Sequence, residues 1–187
     1  MKKFIATTAF LCVFLNAFSQ NEEPLSRSEI KLNVAYLIGG MPEVSYEYLI
    51  NEESSVGASI LYAIDNDIDF KFAFTPYYRF YFGKKRTAGF FVEGFGMLNV
   101  TEEHYAIYYY DVADPNSDVY YENNNNFEKN TNFALGIAVG GKFLTSSGFI
   151  FEIYGGIGRN LFNNNDYYNS DNYEFVPRFG VSVGKRF

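Results

Sequence analysis

Along most of the chain apolar and polar positions alternate with a period of two. That is the spacing of a half-buried β-strand, whose successive side chains point to opposite faces. From Glu29 to Ile38, Ile30, Leu32, Val34, Tyr36 and Ile38 share one face, and Lys31, Asn33 and Ala35 share the other. After Gly39-Gly40-Met41-Pro42, Val44, Tyr46, Tyr48 and Ile50 lie opposite Ser45 and Glu47. A third run sets Val56, Ala58, Ile60, Tyr62 and Ile64 against Gly57, Ser59 and Ala63. The fourth is the clearest, with Phe70, Phe72, Phe74, Tyr78, Phe80 and Phe82 against Lys71, Ala73, Thr75, Tyr77, Arg79 and Tyr81.

Four further runs follow. Phe90, Val92, Leu98 and Val100 oppose Phe91, Glu93, Phe95 and Asn99, and Phe133, Leu135, Ile137, Val139 and Phe143 oppose Ala134, Gly136, Ala138, Gly140 and Lys142. Phe149, Phe151, Ile153 and Ile157 oppose Glu152, Tyr154, Gly156 and Gly158. Finally Tyr173, Phe175, Phe179, Val181 and Val183 oppose Glu174, Arg178, Gly180, Ser182 and Arg186. The pattern predicts about eight strands of roughly 8 to 13 residues, close to the ~9–11 that cross a bilayer at a tilt.

The connections alternate in length. Short links are expected at Asn51 to Ser54, Gly83 to Thr87 and Leu144 to Ser147, and longer ones at Asp65 to Asp69, Thr101 to Thr131 and Asn160 to Asp171. Outer-membrane barrels combine short periplasmic turns with longer external loops in this way. Only the first external link, Gly39 to Pro42, breaks the rhythm.

The N-terminus adds an export signal. Lys2 and Lys3 precede a mostly apolar stretch from Phe4 to Phe18, and Ala17 and Ser19 stand three and one residues before a cleavage point that opens on Gln20. This is the layout of a secretory signal peptide over residues 1–19, too short in its apolar part for a membrane helix. Cleavage would remove Cys12, the single cysteine, and leave residues 20–187 without disulfides, thiol catalysis or thiolate metal sites. It would also remove Lys2 and Lys3 and take the formal charge from -7 to -9, which argues against nucleic acid as a partner.

Composition changes the picture once more. Aromatics make up 20% of the chain, with 17 Tyr, 21 Phe and no Trp, more than an acidic soluble domain of one unit requires. Membrane barrels use such residues where the wall meets the bilayer interfaces. The face opposite the large apolar residues mixes small side chains with Glu47, Lys71, Arg79, Glu93, Lys142, Glu152, Arg178 and Arg186. An eight-stranded barrel is just wide enough for side chains to fill it, so small residues make room and opposite charges pair across it. A soluble sandwich would instead turn those charges to water. Pro76 and Pro177 sit awkwardly inside strands, since a closed barrel has no free edge for a missing N–H, and each is expected at a bulge or above the hydrocarbon zone where water reaches it. Gly94 and Gly96 cover lipid poorly and leave the register of the fifth strand open.

The chain ends Phe179-Gly-Val181-Ser-Val183-Gly-Lys185-Arg-Phe187. A terminal Phe behind alternating apolar residues resembles the C-terminal signal read by barrel-insertion machinery; Phe187, Val183, Val181 and Phe179 match, and Lys185 departs. With the loop rhythm and the export signal, residues 20–187 resemble the small eight-stranded outer-membrane barrel family, similar to the membrane domain of OmpA-like proteins. The resemblance implies an all-β, antiparallel up-and-down transmembrane β-barrel in the outer membrane of a Gram-negative bacterium. It also implies contacts with lipid and lipopolysaccharide and a monomeric, non-enzymatic protein; because the last expected strand reaches Phe187, no periplasmic peptidoglycan-binding domain is expected to follow.

Candidate chemistry is sparse. His104, the only histidine, follows Glu102 and Glu103, but no serine lies close in sequence to complete a lipid-modifying triad. Such an outer-membrane enzyme remains one alternative, and a soluble exported barrel with an apolar ligand is another. The stretch holding Glu102, Glu103, Asp111, Asp114, Asp118, Glu122 and Glu128 has Lys129 as its only Lys or Arg. It lacks the spacing and glycine of an EF-hand, so a solvated acidic loop is expected. Tyr105, Tyr108, Tyr109, Tyr110, Tyr120, Tyr121, Tyr167 and Tyr168, with Asn123 to Asn126 and Asn163 to Asn165, suit an adaptable contact surface for an extracellular partner. Shielding of the outer rim explains the same residues more simply. No catalytic, cofactor or metal site is expected, and the interior charges read as structural, with Arg79, Lys142 and Arg178 neutralising Glu93 and Glu152.

Overall fold

A computed structural model describes residues 26–65, 68–83, 85–105, 108–109, 120–121, 126–162 and 174–187. The expected signal peptide lies outside them. Eight strands close one antiparallel barrel, each beside its sequence neighbours: β1 (Ser28–Asn33), β2 (Glu43–Leu49), β3 (Ser54–Tyr62), β4 (Phe70–Tyr81), β5 (Gly89–Tyr105), β8 (Asn126–Leu144), β9 (Phe149–Phe162) and β10 (Phe175–Arg186). β10 returns to β1, with Glu29 opposite Arg186 and Asn33 opposite Ser182. Two short strands, β6 (Tyr108–Tyr109) and β7 (Tyr120–Tyr121), pair with each other between β5 and β8.

The turns joining β2 to β3, β4 to β5 and β8 to β9 share one rim with the paired backbones of Ser28 and Phe187. The first is held by Asn51, whose side-chain oxygen accepts from the N–H groups of Glu53 and Ser54 at 2.8 and 2.7 Å. The third turns at Gly148, whose φ of +80° glycine adopts without strain. All other links gather at the opposite rim, as the alternation of link lengths predicted.

Four local features differ from the sequence expectation. The first run does not stay extended to Ile38; it stops at Asn33 and becomes a short helix, α1 (Val34–Ile38). The Asn33 side chain caps it by accepting from Tyr36 N–H at 3.4 Å, and Gly40, at φ +80°, lets the chain leave it. The link from β1 to β2 therefore spans residues 34–42, which removes the short external exception. The second difference is a bulge between Phe70 and Phe72, which turns Phe70 from the outward face toward the interior.

Third, the expected loop from Thr101 to Thr131 is partly strand. β5 and β8 stay paired from Thr101–Asn130 to Tyr105–Asn126, and β6 and β7 pair beyond them. A run rich in Tyr, Thr and Phe favours extended backbone even above the barrel wall. Fourth, the two prolines find places. The ladder between β4 and β5 passes from Phe74–Leu98 to Tyr77–Phe95, which skips Pro76. Pro177 lies where β10 is paired with β9 alone, because pairing with β1 ends at Ser182. The backbone of Phe187 pairs with Ser28 of β1, and Pro177, an even number of residues away, turns its nitrogen to that same open side.

The wall is inside out for a water-soluble protein. Ile60, Ile137, Ile153, Ile157 and Phe179 point outward and are exposed, whereas Glu47, Arg79, Glu93 and Lys142 point inward and are buried. Gly94 and Gly96 do face outward as expected; Phe133 and Leu135 lie alongside Gly96 at 3.4–3.6 Å from where its Cβ would stand. Inward glycines make space for rings. A Cβ on Gly140 would lie 2.5 Å from the Ile153 carbonyl oxygen and 2.7 Å from Phe91, whereas one on Gly94 meets nothing within 4 Å. Gly140→Val should therefore cost about 1–3 kcal/mol through overpacking, and Gly94→Val should leave stability unchanged. Urea unfolding of both variants in lipid checks the pair, and equal effects would contradict the assigned faces.

Candidate functional site

Seven of the eight barrel strands send charged side chains inward, because period-two alternation stacks them on one face. Glu29 and Lys31 come from β1, Glu43 and Glu47 from β2, Arg79 from β4 and Glu93 from β5. Lys142 comes from β8, Glu152 from β9, and Arg178 and Arg186 from β10. Antiparallel register brings several together directly: Arg79 lies opposite Glu93, Lys142 opposite Glu152, and Glu29 opposite both Glu47 and Arg186.

Glu47 is the hub. It receives the Lys31 ammonium, Arg79 Nη1 at 2.9 Å, Lys142 Nζ at 2.8 Å, and the hydroxyls of Ser55 and Tyr81, each at 2.6 Å. Arg79 Nε donates to Glu93 at 2.6 Å and its Nη1 to Glu152 at 2.7 Å. Arg178 donates from Nε to the other Glu93 oxygen at 2.6 Å and from Nη1 to Glu43 at 3.2 Å. Arg186 closes the turn-side mouth with two bonds to Glu29 at 2.9 and 2.6 Å and one to the Thr87 carbonyl at 3.1 Å.

These ten groups carry five positive and five negative charges, so the network is neutral as a whole. Aromatic faces complete the solvation: the Arg79 guanidinium lies 4.3 Å from the Phe91 ring centroid and 4.6 Å from that of Tyr77, and Lys142 Nζ lies 4.6 Å from that of Tyr81. Glu29, Glu47 and Glu152 bring carboxylate oxygens within 4.8 Å of one another, a spacing that suits a metal ion. Lys31 and Lys142 already fill that cluster, with Lys142 Nζ at 2.7 Å from Glu29 and Lys31 Nζ at 2.9 Å from Glu152. The cations it holds are its own ammonium groups.

Sequence reasoning named Arg79, Lys142 and Arg178 as partners of Glu93 and Glu152, and all five fall in this network. It underrated Glu47, which it placed among the interior charges without a central role. It also missed Glu29 and Glu43, whose inward position was readable from their parity with Lys31 and Glu47. Lys71, grouped with the interior charges, lies instead at the loop-side end, 3.7 Å from Glu102, which also accepts from Lys129 at 2.8 Å. The place of Lys71 as the second residue of β4, which enters the wall from the loop side, sets that height.

His104 has its backbone in β5 opposite Phe127. Its side chain lies outside the described residues, as do those of Glu103, Asp111, Asp114, Asp118, Glu122, Glu128 and the loop tyrosines and asparagines named above. Arg178→Met would leave Glu93 short of one of its two guanidinium partners, and should lower the unfolding midpoint in detergent by the equivalent of about 2–4 kcal/mol without changing where the protein is found. An unchanged midpoint would show that the Arg178–Glu93 pair contributes nothing.

The chain matches, over residues 6–179, the model of a family described as a protein of unknown function (DUF3575). No curated protein and no solved structure matches it.

Proposed function

We propose that this chain, which belongs to the DUF3575 family, serves as an integral barrel of a Gram-negative outer membrane, non-enzymatic, with a structural or surface-interaction role at its loop-side rim. One observation carries the reading: the barrel buries its charges and exposes its hydrocarbon. Ile137 is 66% exposed and Phe143 67%, while Glu47 and Glu93 are 0% exposed. A soluble barrel packs the apolar face inward, and soluble monomers rarely expose contiguous apolar patches beyond a few hundred Å².

The order of residues along the outer wall supports the same reading. Tyr48, Phe82, Phe90, Phe143, Phe149 and Phe187 cluster toward the turn-side rim, Tyr62 and Phe175 lie at the other, and Val92, Ile137, Val139, Ile153 and Val181 lie between with Tyr78 and Phe179 among them. Aromatics gathered at a rim and a continuous apolar band beyond it suit an interface and the core of a bilayer. Among the described residues no helix is long and apolar enough to cross a membrane; in this reading the strands cross, with their backbone groups bonded within the closed wall. The interior is closed by its own ion pairs, which argues against a conducting pore. The partners that follow are lipid and lipopolysaccharide on the wall, insertion machinery at the Phe187 segment, and an extracellular partner at the loop rim.

Fractionation of expressing cells tests the proposal, followed by a denaturing gel of the membrane fraction, unheated and boiled. A band in the outer-membrane fraction whose mobility shifts on boiling is the expected result. Mature protein that is soluble without detergent and shows no shift would overturn it.

A further inference from the structure

The barrel wall has a seam. β10 pairs with β9 from Phe175 to Lys185 but with β1 only from Ser182 to Arg186, so from Phe175 to Val181 its second edge meets no strand among the described residues. α1 lies there instead. The Asn33 side-chain amide donates to the Phe179 carbonyl at 3.2 Å, and the Tyr36 ring packs on the Phe179 ring with centroids 4.8 Å apart. Tyr36 also reaches through to the interior, where with Met41 and Phe70 it packs against Leu61, Tyr77, Phe95, Met97 and Val176. Ile38, on the same helix, is 83% exposed. Side-chain contacts at this place replace the backbone ladder found elsewhere, and they part without unzipping strands.

Behind the seam the interior changes character. On β3, β4, β5, β8 and β10 the inner face loop-ward of the charge network turns largely apolar, with Leu61, Ala73, Phe95, Met97, Ala134 and Val176 beside the small polar side chains of Ser59 and Thr75. Both methionines beyond Met1 belong here, and thioether side chains re-pack readily around a guest. Next along the same inner face, Asn99 and Asn132 stand opposite each other on β5 and β8 and are 1% and 9% exposed. The Asn132 amide nitrogen approaches Asn99 Oδ1 at 3.5 Å, but Asn99 Nδ2 and Asn132 Oδ1 have no partner among the described residues. Buried side-chain groups are nearly always paired, so an orphaned donor beside an orphaned acceptor points to a ligand that supplies both.

We propose that the loop-side half of the barrel binds a single-chain amphiphile. Its carboxyl or hydroxyl head bonds Asn99 and Asn132, its alkyl chain lies among Met97, Phe95 and Leu61, and it is exchanged with the membrane sideways past α1. The proposal rests on the outer-membrane reading and adds to it a ligand class, a site and a route.

Photoactivatable palmitic acid tests it on the full chain in liposomes, with adducts mapped by mass spectrometry after digestion. Adducts are expected on the inner-face residues Leu61, Phe95 and Met97 as well as on the outer wall. In Asn99→Leu/Asn132→Leu the inner adducts should fall roughly tenfold relative to the outer ones, the loss of one to two hydrogen bonds. A photoactivatable alkane of equal length, without a head group, should label the unmodified protein's outer wall but not its interior; this arm needs no variant to fold. Adducts confined to the outer wall of a heat-shifting, membrane-inserted protein would overturn the amphiphile site and leave the membrane reading standing. A chain that never enters the membrane would overturn both.

Discussion

Glu47→Gln should be the most damaging conservative change in the barrel, lowering unfolding free energy by about 3–5 kcal/mol. Gln has nearly the same shape, so the loss is electrostatic. Glu47 faces the ammonium groups of Lys31 and Lys142 and the guanidinium of Arg79, and every one of these side chains is at most 2% exposed. Neutralising it leaves the interior with one unmatched positive charge that water does not reach. The amide's nitrogen also has to face a donor, because the carboxylate oxygens accept only from ammonium, guanidinium and hydroxyl groups.

Glu47→Gln/Lys142→Met restores neutrality, and should recover a large part of the loss even though it removes a second ionic group. Unfolding by urea in detergent or lipid measures both variants. A midpoint for Glu47→Gln equal to that of the unmodified protein would mean that the interior is wet and its charges solvated, and the neutral plug would have to be abandoned.

How much of the barrel is legible in the sequence depends on how local each signal is. Period-two alternation is local, so the sequence alone assigns the faces of β2, β3, β8 and β9, and with them the inward side of Glu47, Lys142 and Glu152. The partners of those charges are not local. Glu47 and Lys142 stand 95 residues apart along the chain, and they meet because the sheet closes on itself and the long side chains reach across the lumen. A two-residue rhythm gives the face of a residue but neither its height nor its neighbour across the barrel.

α1 escapes the sequence pattern for a related reason. Ile30, Leu32, Val34, Tyr36 and Ile38 fit the alternation without a break. What ends the strand is Asn33, whose side chain caps a turn of helix, followed by the space that opens where β10 outruns β1. Pro177 is a defect only in a wall that is paired throughout. With the seam in place it stands at an edge that has no N–H to supply, and its oddity in the sequence is a trace of that edge.

Ile137→Arg separates a membrane barrel from a soluble one by the size of its effect. Ile137 lies halfway along the part of β8 that is paired on both sides, opposite Gly94 of β5 and Ile157 of β9, with its side chain outward. If that wall faces hydrocarbon, Arg near the midplane should cost about 2–4 kcal/mol, falling to about 0–1 near the interface. Thr131, also exposed on β8 but nearer the loop rim, supplies the second point, so Thr131→Arg should be almost silent. If the wall faces water, both substitutions exchange one exposed side chain for another, and each should stay within about 0.5 kcal/mol. Unfolding of the two variants in liposomes measures the gradient. A steep fall from Ile137 to Thr131 is the signature of a bilayer around the barrel; a flat result would return the outer face to solvent and make the exposed phenylalanines and isoleucines a surface for another protein to cover.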